Sequence, residues 1–106
     1  MARTLVNIPK TVRRGEAFDI KILIAHTMES GQRRDDVGQV IPRDIINDFR
    51  CTYNGEDVIH IALFPAIAAN PFLSFSAIAG DSGNIVMTWT DDRGTTQSET
   101  VPITVE

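Results

Sequence analysis

The chain has 106 residues, of which 42% are hydrophobic and 23% are charged, and this is the composition of an ordinary globular domain. Such an apolar fraction argues against intrinsic disorder, and the length predicts one domain over residues 1–106. Ten basic and 14 acidic residues leave a net charge of −4, so we expect no nucleic-acid partner, because such binders usually carry a basic surface.

Two strands are predicted in the first quarter of the chain. The first runs from Arg3 to Ile8, and Pro9 ends it or confines it to an edge. The second covers Phe18–Ile24, where apolar and polar residues alternate with a period of two. This alternation is typical of a half-buried strand.

The second half of the chain predicts five more strands. Asn54-Gly55 is a strong hairpin signal because both positions of a type I′ turn need positive φ. It joins a strand at Asp48–Tyr53 to a return strand at Asp57–Phe64, which Pro65 ends. A loop or single helical turn is expected over residues 66–71. The remaining strands are predicted at Phe72–Ala79, Asn84–Asp91 and Thr96–Val105.

About seven strands separated by turn signals predict an all-β fold. Their regular spacing is typical of an immunoglobulin-like antiparallel β-sandwich. Trp89 lies on the apolar side of its strand, so we expect it in the core. The paired cysteines of antibody domains are missing, since Cys51 is the one cysteine. An internal disulfide and a cysteine-rich metal site are therefore excluded.

One segment exceeds what a sandwich needs. Residues 27–47 form a long connection rich in charge, Gly and Ser, and long connections of this kind are usually functional or disordered. Within it, residues 42–47 predict a short helical turn with Pro42 at its first position. Arg33, Arg34 and Arg43 suit recognition of an acidic partner, although a solvated loop explains the same charges.

The histidines do not predict a metal site. His26, His60 and Glu29 match no spacing typical of zinc ligands. We expect His26 to be a hydrogen-bonded residue at the end of its strand, and His60 to be half-buried or at a subunit contact. No metal or other cofactor is predicted.

Catalytic groups are also scarce. Cys51 alternates with Phe49 and Tyr53 in mid-strand, where a free cysteine is usually a small buried hydrophobe. Three pairs of carboxylates fall in polar turns, where we interpret them as solvated: Asp35-Asp36, Glu56-Asp57 and Asp91-Asp92. The alternative hypothesis is a small thiol or metal enzyme that acts directly on its substrate through Cys51 or His26.

The long connection resembles the hallmark segment of the SoxZ family. The pattern H-x-M-E-S-G-x-R-x-D followed by G-x-x-I-P-R-x-I-I-N is matched between His26 and Asn47. Asn54-Gly55 and the segment from Thr88 to Gly94 also resemble family positions, so the similarity spans nearly the whole chain.

The resemblance implies a non-catalytic scaffold, a subunit of the SoxYZ carrier of sulfur-compound oxidation. Such a subunit binds SoxY, whose flexible tail carries the sulfur substrate on a cysteine, in a heterodimer or higher assembly. It also implies transient contacts with other enzymes of the pathway. The partner-binding residues implied by the match are His26, Met28, Glu29, Ser30, Gly31, Arg33, Ile41, Pro42, Arg43 and Ile45.

Within this segment we expect Met28, Ile41 and Ile45 to be apolar anchors for SoxY inside a polar rim that includes Arg33 and Arg43. The alternative for Ile45 and its neighbour Ile46 is that one of them packs under the loop.

The expected location follows from the resemblance. The first residues show no secretory signal pattern, and no apolar run is long enough to span a bilayer, so we expect no membrane contact. On these grounds alone the chain would be cytoplasmic. The family resides in the periplasm, so we expect export together with a signal-bearing partner.

Overall fold

The computed structural model describes residues 4–63 and 69–106. Within these ranges the chain forms eight β-strands and no helix. In chain order the strands are β1 (Thr4–Asn7), β2 (Thr11–Val12), β3 (Ala17–Ile24), β4 (Ile46–Tyr53), β5 (Glu56–Ala62), β6 (Phe72–Ile78), β7 (Gly83–Asp91) and β8 (Thr96–Val105).

The strands form two sheets that face each other. One sheet has the order β1-β3-β6, and the other has the order β2-β8-β7-β4-β5. All pairs are antiparallel except β2 with β8, which is parallel. The predicted sandwich is therefore confirmed, with one short parallel pair added.

The seven predicted strands are all present, with ends that differ by one or two residues. The predicted start at Arg3, the predicted end at Phe64 and residues 66–68 of the predicted loop or helical turn lie outside the described residues. The added strand β2 is two residues long. It was not predicted because two residues cannot show an alternating pattern.

The core lies between the sheets and is built from the inward residues of each alternating strand. Phe49 of β4 stacks on Trp89 of β7 at 6.5 Å and meets Phe75 of β6 edge-on at 6.0 Å, so it joins the two sheets. Trp89 is buried, as predicted. The core also includes Phe18, Ile20, Ile22, Ile24, Cys51, Ile85, Met87 and Ile103.

The molecule is long and narrow, with principal extents of 58 × 21 × 19 Å. Its radius of gyration is 16.1 Å, whereas a compact domain of this length has about 13 Å. The added length follows from the connection between β3 and β4, described below. No helix among the described residues is long and apolar enough to cross a membrane.

Candidate functional site

The connection between β3 and β4 is a paired ribbon, which we call the arm (residues 27–45). Glu29 and Asp44 exchange two backbone hydrogen bonds of 2.9 Å. Further out, the Ile41 N–H donates to the Arg33 carbonyl at 2.8 Å, and Arg34 pairs with Val40. Cross-strand bonds of this kind hold the backbone extended. The helical turn predicted for residues 42–47 is therefore wrong, since this segment pairs across the arm and then enters β4 at Ile46.

The tip of the arm is a turn closed by one carboxylate. Asp35 Oδ1 accepts the backbone N–H of Val37 at 3.0 Å and that of Gln39 at 2.9 Å. This bonding leaves the apolar side chains of the tip in solvent, with Val37 79% and Val40 48% exposed. The tip therefore offers two aliphatic side chains to a partner protein, at the point of the arm farthest from the core.

The middle of the arm carries an ion pair and a close approach of its two strands. The Arg33 guanidinium donates to the Glu29 carboxylate, and this bond lowers the pKa of Glu29 and raises that of Arg33. Gly31 has φ of 86°, and a Cβ there would lie 3.2 Å from the Arg43 Cβ. Glycine therefore suits this position both for its backbone conformation and for space.

The root of the arm is part of the hydrophobic core. Met28 is 5% and Ile45 is 0% exposed. Met28 adopts φ of 51°, and its sulfur accepts the Ile46 N–H at 3.3 Å. Met28 and Ile45 therefore anchor the arm to its own domain, and the prediction that they present apolar surface to SoxY is wrong. The alternative for Ile45 and Ile46 is confirmed, because both are buried.

Asp92 ties the arm to the turn between β7 and β8. Its carboxylate accepts two N–H groups of Arg43 at 2.7 and 2.9 Å, the Asn47 amide at 2.9 Å and the Ile45 N–H at 3.2 Å. The Arg43 bond is the largest cause of a lowered pKa of Asp92, and the Asn47 and Ile45 bonds act in the same direction against the opposing effect of burial. The carboxylate is thus held ionised as an anchor.

A second cluster lies beside this anchor. The His26 Nε2 is 3.9 Å from Asp44 Oδ1 and 3.8 Å from Asp91 Oδ2, and the three ligand atoms lie within 4.8 Å of one another. Asp44 Oδ2 accepts from Arg93 at 2.9 Å, but Asp44 Oδ1 is buried without a hydrogen-bond partner among the described residues. Residue types and distances are those of a candidate cation site.

The hydrogen bonding of His26 works against that assignment. The Met28 N–H donates to His26 Nδ1 at 3.0 Å, so Nδ1 must be unprotonated and the proton of the neutral ring lies on Nε2. A metal at Nε2 needs the lone pair there, and metal-binding histidines usually donate from the other nitrogen. The Nε2–H instead faces the two carboxylates. The predicted role of His26 as a hydrogen-bonded residue at a strand end is confirmed.

The other candidate groups lie away from the arm. Cys51 is fully buried, as predicted, and burial raises the pKa of its thiol to about 11. His60 is exposed and not half-buried, so its alternative position at a subunit contact stays a prediction. Its ring contacts Asp48 at 2.8 Å and Arg50 at 3.1 Å on β4. The structure therefore does not bring His60 into one cluster with His26.

The ten residues implied by the resemblance lie along one ribbon and its root, but their burial differs. Arg33, Pro42 and Arg43 are exposed, whereas Met28 and Ile45 are buried. His26, Glu29, Ser30, Gly31 and Ile41 are of intermediate burial. A direct role in binding stays a prediction for the exposed and intermediate members.

Sequence reasoning missed the groups that hold the arm. Asp91 and Asp92 were interpreted as solvated, yet their side chains are 16% and 13% exposed. Asp91 Oδ1 accepts the N–H groups of Arg93 and Thr95 at 3.0 Å. One sequence signal could have identified these two residues, since both lie in the segment from Thr88 to Gly94 that resembles positions of the SoxZ family.

Solved structures with the same fold come from different functional classes. Superoxide reductase (neelaredoxin) from Ignicoccus hospitalis is 15% identical, with a TM-score of 0.73 over 97% of this chain and 80% of that chain. The sulfur carrier protein SoxY from Chlorobium limicola f thiosulfatophilum is 9% identical, with a TM-score of 0.67 over 97% of this chain and 78% of that chain. At these identities the likeness shows the fold alone.

The family is shown by the sequence itself. Among curated proteins no sequence matches this chain significantly. The family model described as sulphur oxidation protein SoxZ, however, matches residues 6–102. This range includes both strands of the arm, its root and the turn that carries Asp91 and Asp92. The chain therefore belongs to the SoxZ family.

Proposed function

We propose that this chain is a non-catalytic scaffold subunit that binds SoxY and helps present the sulfur substrate carried on a SoxY cysteine. Membership of the SoxZ family supports a role in sulfur oxidation. The solved protein described as the sulfur carrier SoxY shares the fold. The binding of SoxY and the presentation of its substrate are the parts that we propose.

The observation that carries the proposal is the construction of the arm. Its root is anchored in the core by Met28 and Ile45, whereas its tip holds Val37 and Val40 in solvent. Exposed apolar groups surrounded by charged ones match the usual organisation of a protein interface. An arm with a rigid root and an exposed tip can bind a partner at low entropic cost, because its backbone is already ordered.

The chemistry of the described residues favours a scaffold over a thiol enzyme. Cys51 is enclosed by the core, and a thiol with a pKa of about 11 is almost fully protonated at neutral pH. A nucleophilic sulfur must be a thiolate and must be reachable by substrate. Covalent sulfur chemistry is therefore assigned to the partner's cysteine in this proposal.

The test is binding of purified SoxY to a tip variant. Val37→Ser combined with Val40→Ser removes the exposed apolar groups without touching the root. We expect the affinity for SoxY, measured by titration calorimetry, to fall at least about tenfold. Leu5→Ser is the matched control, because Leu5 is 60% exposed on β1, and it should bind as the unmodified chain does.

Two results would contradict the proposal. Equal affinity of the tip variant and the unmodified chain would remove the arm from the interface. Turnover of thiosulfate or sulfite by the purified chain without SoxY would contradict the non-catalytic role. Cys51→Ala should retain full pathway activity when SoxY is present, and a loss of that activity with folding intact would favour the thiol alternative.

The proposal includes a location. We propose that the chain works in the periplasm, exported together with a signal-bearing partner. Cell fractionation should then find it in the periplasm when SoxY is produced and in the cytoplasm when SoxY is deleted. A periplasmic chain in the deletion strain would contradict co-export with SoxY.

A further inference from the structure

Among the described residues, the edges of the sandwich other than β6 are protected against pairing with another chain. Edge strands expose unpaired N–H and C=O groups. Proteins usually prevent such strands from pairing with another chain by making them short, charged or bulged. β1 has four residues and β2 has two. β2 leaves most of β8 open, but that stretch contains a glutamate and a proline. β5 carries Glu56 and Asp57, and its register with β4 shifts between Cys51 and Thr52.

β6 has none of these protections. Its seven residues, Phe72–Ile78, include no charged residue, proline or glycine. Its pairing with β3 is regular from Phe72 opposite Leu23 to Ile78 opposite Ala17. The side chains of Phe72 and Ile78 are 59% and 63% exposed. A regular and uncharged edge with exposed apolar side chains is a template for strand addition.

The hydrogen bonds at the two ends of β6 show which groups face outward. The Pro71 carbonyl accepts the Ile24 N–H at 3.0 Å, and the Ala79 N–H donates to the Glu16 carbonyl at 2.8 Å. Odd-numbered residues of this strand therefore bond to β3, and bonding direction alternates along a strand. The outward N–H and C=O groups belong to Phe72, Ser74, Ser76 and Ile78. No backbone pairing within residues 4–63 and 69–106 uses them.

β6 begins beside the root of the arm. The Asn70 N–H donates to the His26 carbonyl at 2.7 Å, and Asn70 Oδ1 accepts the His26 N–H at 3.1 Å. Asn70 lies two residues before Phe72, so the open edge starts next to the proposed SoxY-binding segment. A partner that contacts the root of the arm therefore lies within reach of the edge.

We infer that β6 accepts an edge strand of SoxY, so that the three-stranded sheet continues across the boundary between the two subunits. This inference rests on the proposed function. The solved SoxY has the same fold, with a TM-score of 0.67, so a β-sandwich partner has edge strands of its own to offer. Main-chain bonds to the four outward residues supply affinity, and the exposed side chains of Phe72 and Ile78 pack against the added strand.

The first experiment is amide hydrogen exchange by NMR on this chain, alone and bound to full-length SoxY. Amides that bond to β3 are already protected, whereas the outward ones exchange freely. We expect the amides of Phe72, Ser74, Ser76 and Ile78 to slow at least tenfold in the complex. Outward amides that exchange at the free rate in a saturated complex would overturn the inference while leaving the proposed function standing.

The second experiment blocks the edge. Ser74→Pro removes one outward N–H and leaves the bonds to β3 intact, because proline is tolerated where the N–H faces away from the sheet. We expect the affinity for SoxY to fall at least about a hundredfold. Ala62→Pro is the matched control. The Leu63 N–H donates to the Asn47 carbonyl on β4, so the N–H of the preceding residue, Ala62, faces outward from β5. This variant should bind SoxY with unchanged affinity.

A further variant keeps the test valid if proline unfolds the edge. Phe72→Lys changes one exposed side chain, and it should weaken SoxY binding at least tenfold with an unchanged circular dichroism spectrum. Unchanged binding of a folded Ser74→Pro or Phe72→Lys variant would overturn the inference. The isolated chain could also form a homodimer that Ser74→Pro converts to a monomer while SoxY binding is unaffected. In that case a second copy of this chain, and not SoxY, would pair with β6, and the inference would be overturned.

Discussion

Arg43 and Asp92 form a two-pronged ion pair with N–O distances of 2.7 and 2.9 Å. They are 49 positions apart in the chain, so the pair joins the returning strand of the arm to the turn after β7. Parallel bonds between a guanidinium and a carboxylate restrict both distance and angle. The pair therefore fixes the root of the arm to the sandwich.

Asp92→Asn should lower the free energy of unfolding by about 1–3 kcal/mol at pH 7, because a charged acceptor of several N–H groups is lost. The pKa of Asp92 is lowered in the folded chain, so this stabilisation is complete above the unfolded pKa of about 3.9 and is lost as the pH falls below it. Urea unfolding at several pH values should show the difference from the unmodified chain shrinking below pH of about 4.

The control for this prediction is Asp57→Asn. Asp57 is 57% exposed and lies 3.4 Å from Arg50, and exposed pairs contribute less than about 1 kcal/mol. An equal loss in both variants would show that Asp92 is an ordinary surface carboxylate.

The free energy of unfolding should fall more when the Met28 side chain is shortened than when its shape is changed at similar volume. Met28→Ala should cost about 2–5 kcal/mol because it leaves a cavity under the arm. Met28→Leu keeps most of the volume and should cost less than about 1.5 kcal/mol, which includes the loss of the sulfur that accepts the Ile46 N–H. Equal unfolding free energies of the alanine variant and the unmodified chain would contradict burial of the root.

Gly83 should not tolerate a methyl group. A Cβ at Gly83 would overlap the Asn54 side chain, whose Oδ1 accepts the Asn84 N–H at 3.1 Å. Gly83→Ala should therefore cost about 1–3 kcal/mol in urea unfolding. Gly80→Ala is the control, because nothing lies within 4 Å of a Cβ there.

A double variant identifies the cause. Asn54→Gly preserves the positive φ of 51° at this turn and removes the overlapping side chain. Gly83→Ala should cost less in the Asn54→Gly background than alone, since residues in contact give non-additive effects. Strict additivity would show that the cost of Gly83→Ala comes from the backbone and not from Asn54.

The Cys51 thiol should be unreactive in the folded chain. With a pKa of about 11, about one thiol in a thousand is ionised at pH 8, against about a quarter for a pKa near 8.5. Ellman's reagent at pH 8 should therefore react at least a hundredfold more slowly with the folded chain than with the chain in urea. Rapid labelling without unfolding would contradict burial of the thiol.

The same pKa gives a test in the alkaline range. The raised pKa of Cys51 means that the folded chain favours the neutral thiol. The contribution of this thiol to the free energy of unfolding is therefore complete below pH of about 8.5, and it is lost as the pH rises toward 11. Urea unfolding between pH 7 and 10.5 should show a decline that is smaller in Cys51→Ala. An identical decline in both chains would assign it to other groups.

Strands and tight turns were predictable because their signals lie within a few residues. The alternation in Phe18–Ile24 gave a strand within one residue of β3. Asn54 and Gly55 have φ of 51° and 85°, as a type I′ turn needs. A period of two reports which side chains share a face, and this is decided locally.

The arm was predicted as a segment but not as a structure. Its length and charge indicated function, yet the interpretation of residues 42–47 as a helical turn failed because cross-strand bonds with Glu29 and with Asp91 control that backbone. The role of Asp92 failed for a related reason. A carboxylate in a polar turn is solvated unless a distant segment covers it. The root of the arm covers Asp92, and the residues next to Asp92 in the sequence carry no signal of that contact.

The sequence by itself determined the all-β class, seven of the strands and the membership of the SoxZ family, because alternation and motif are properties of neighbouring residues. Tertiary structure alone decided that Met28 and Ile45 are core residues while Val37 and Val40 are exposed, and that β6 is the unprotected edge. Burial and strand pairing depend on tertiary contacts between segments that are distant in the sequence, and residue type alone does not decide them.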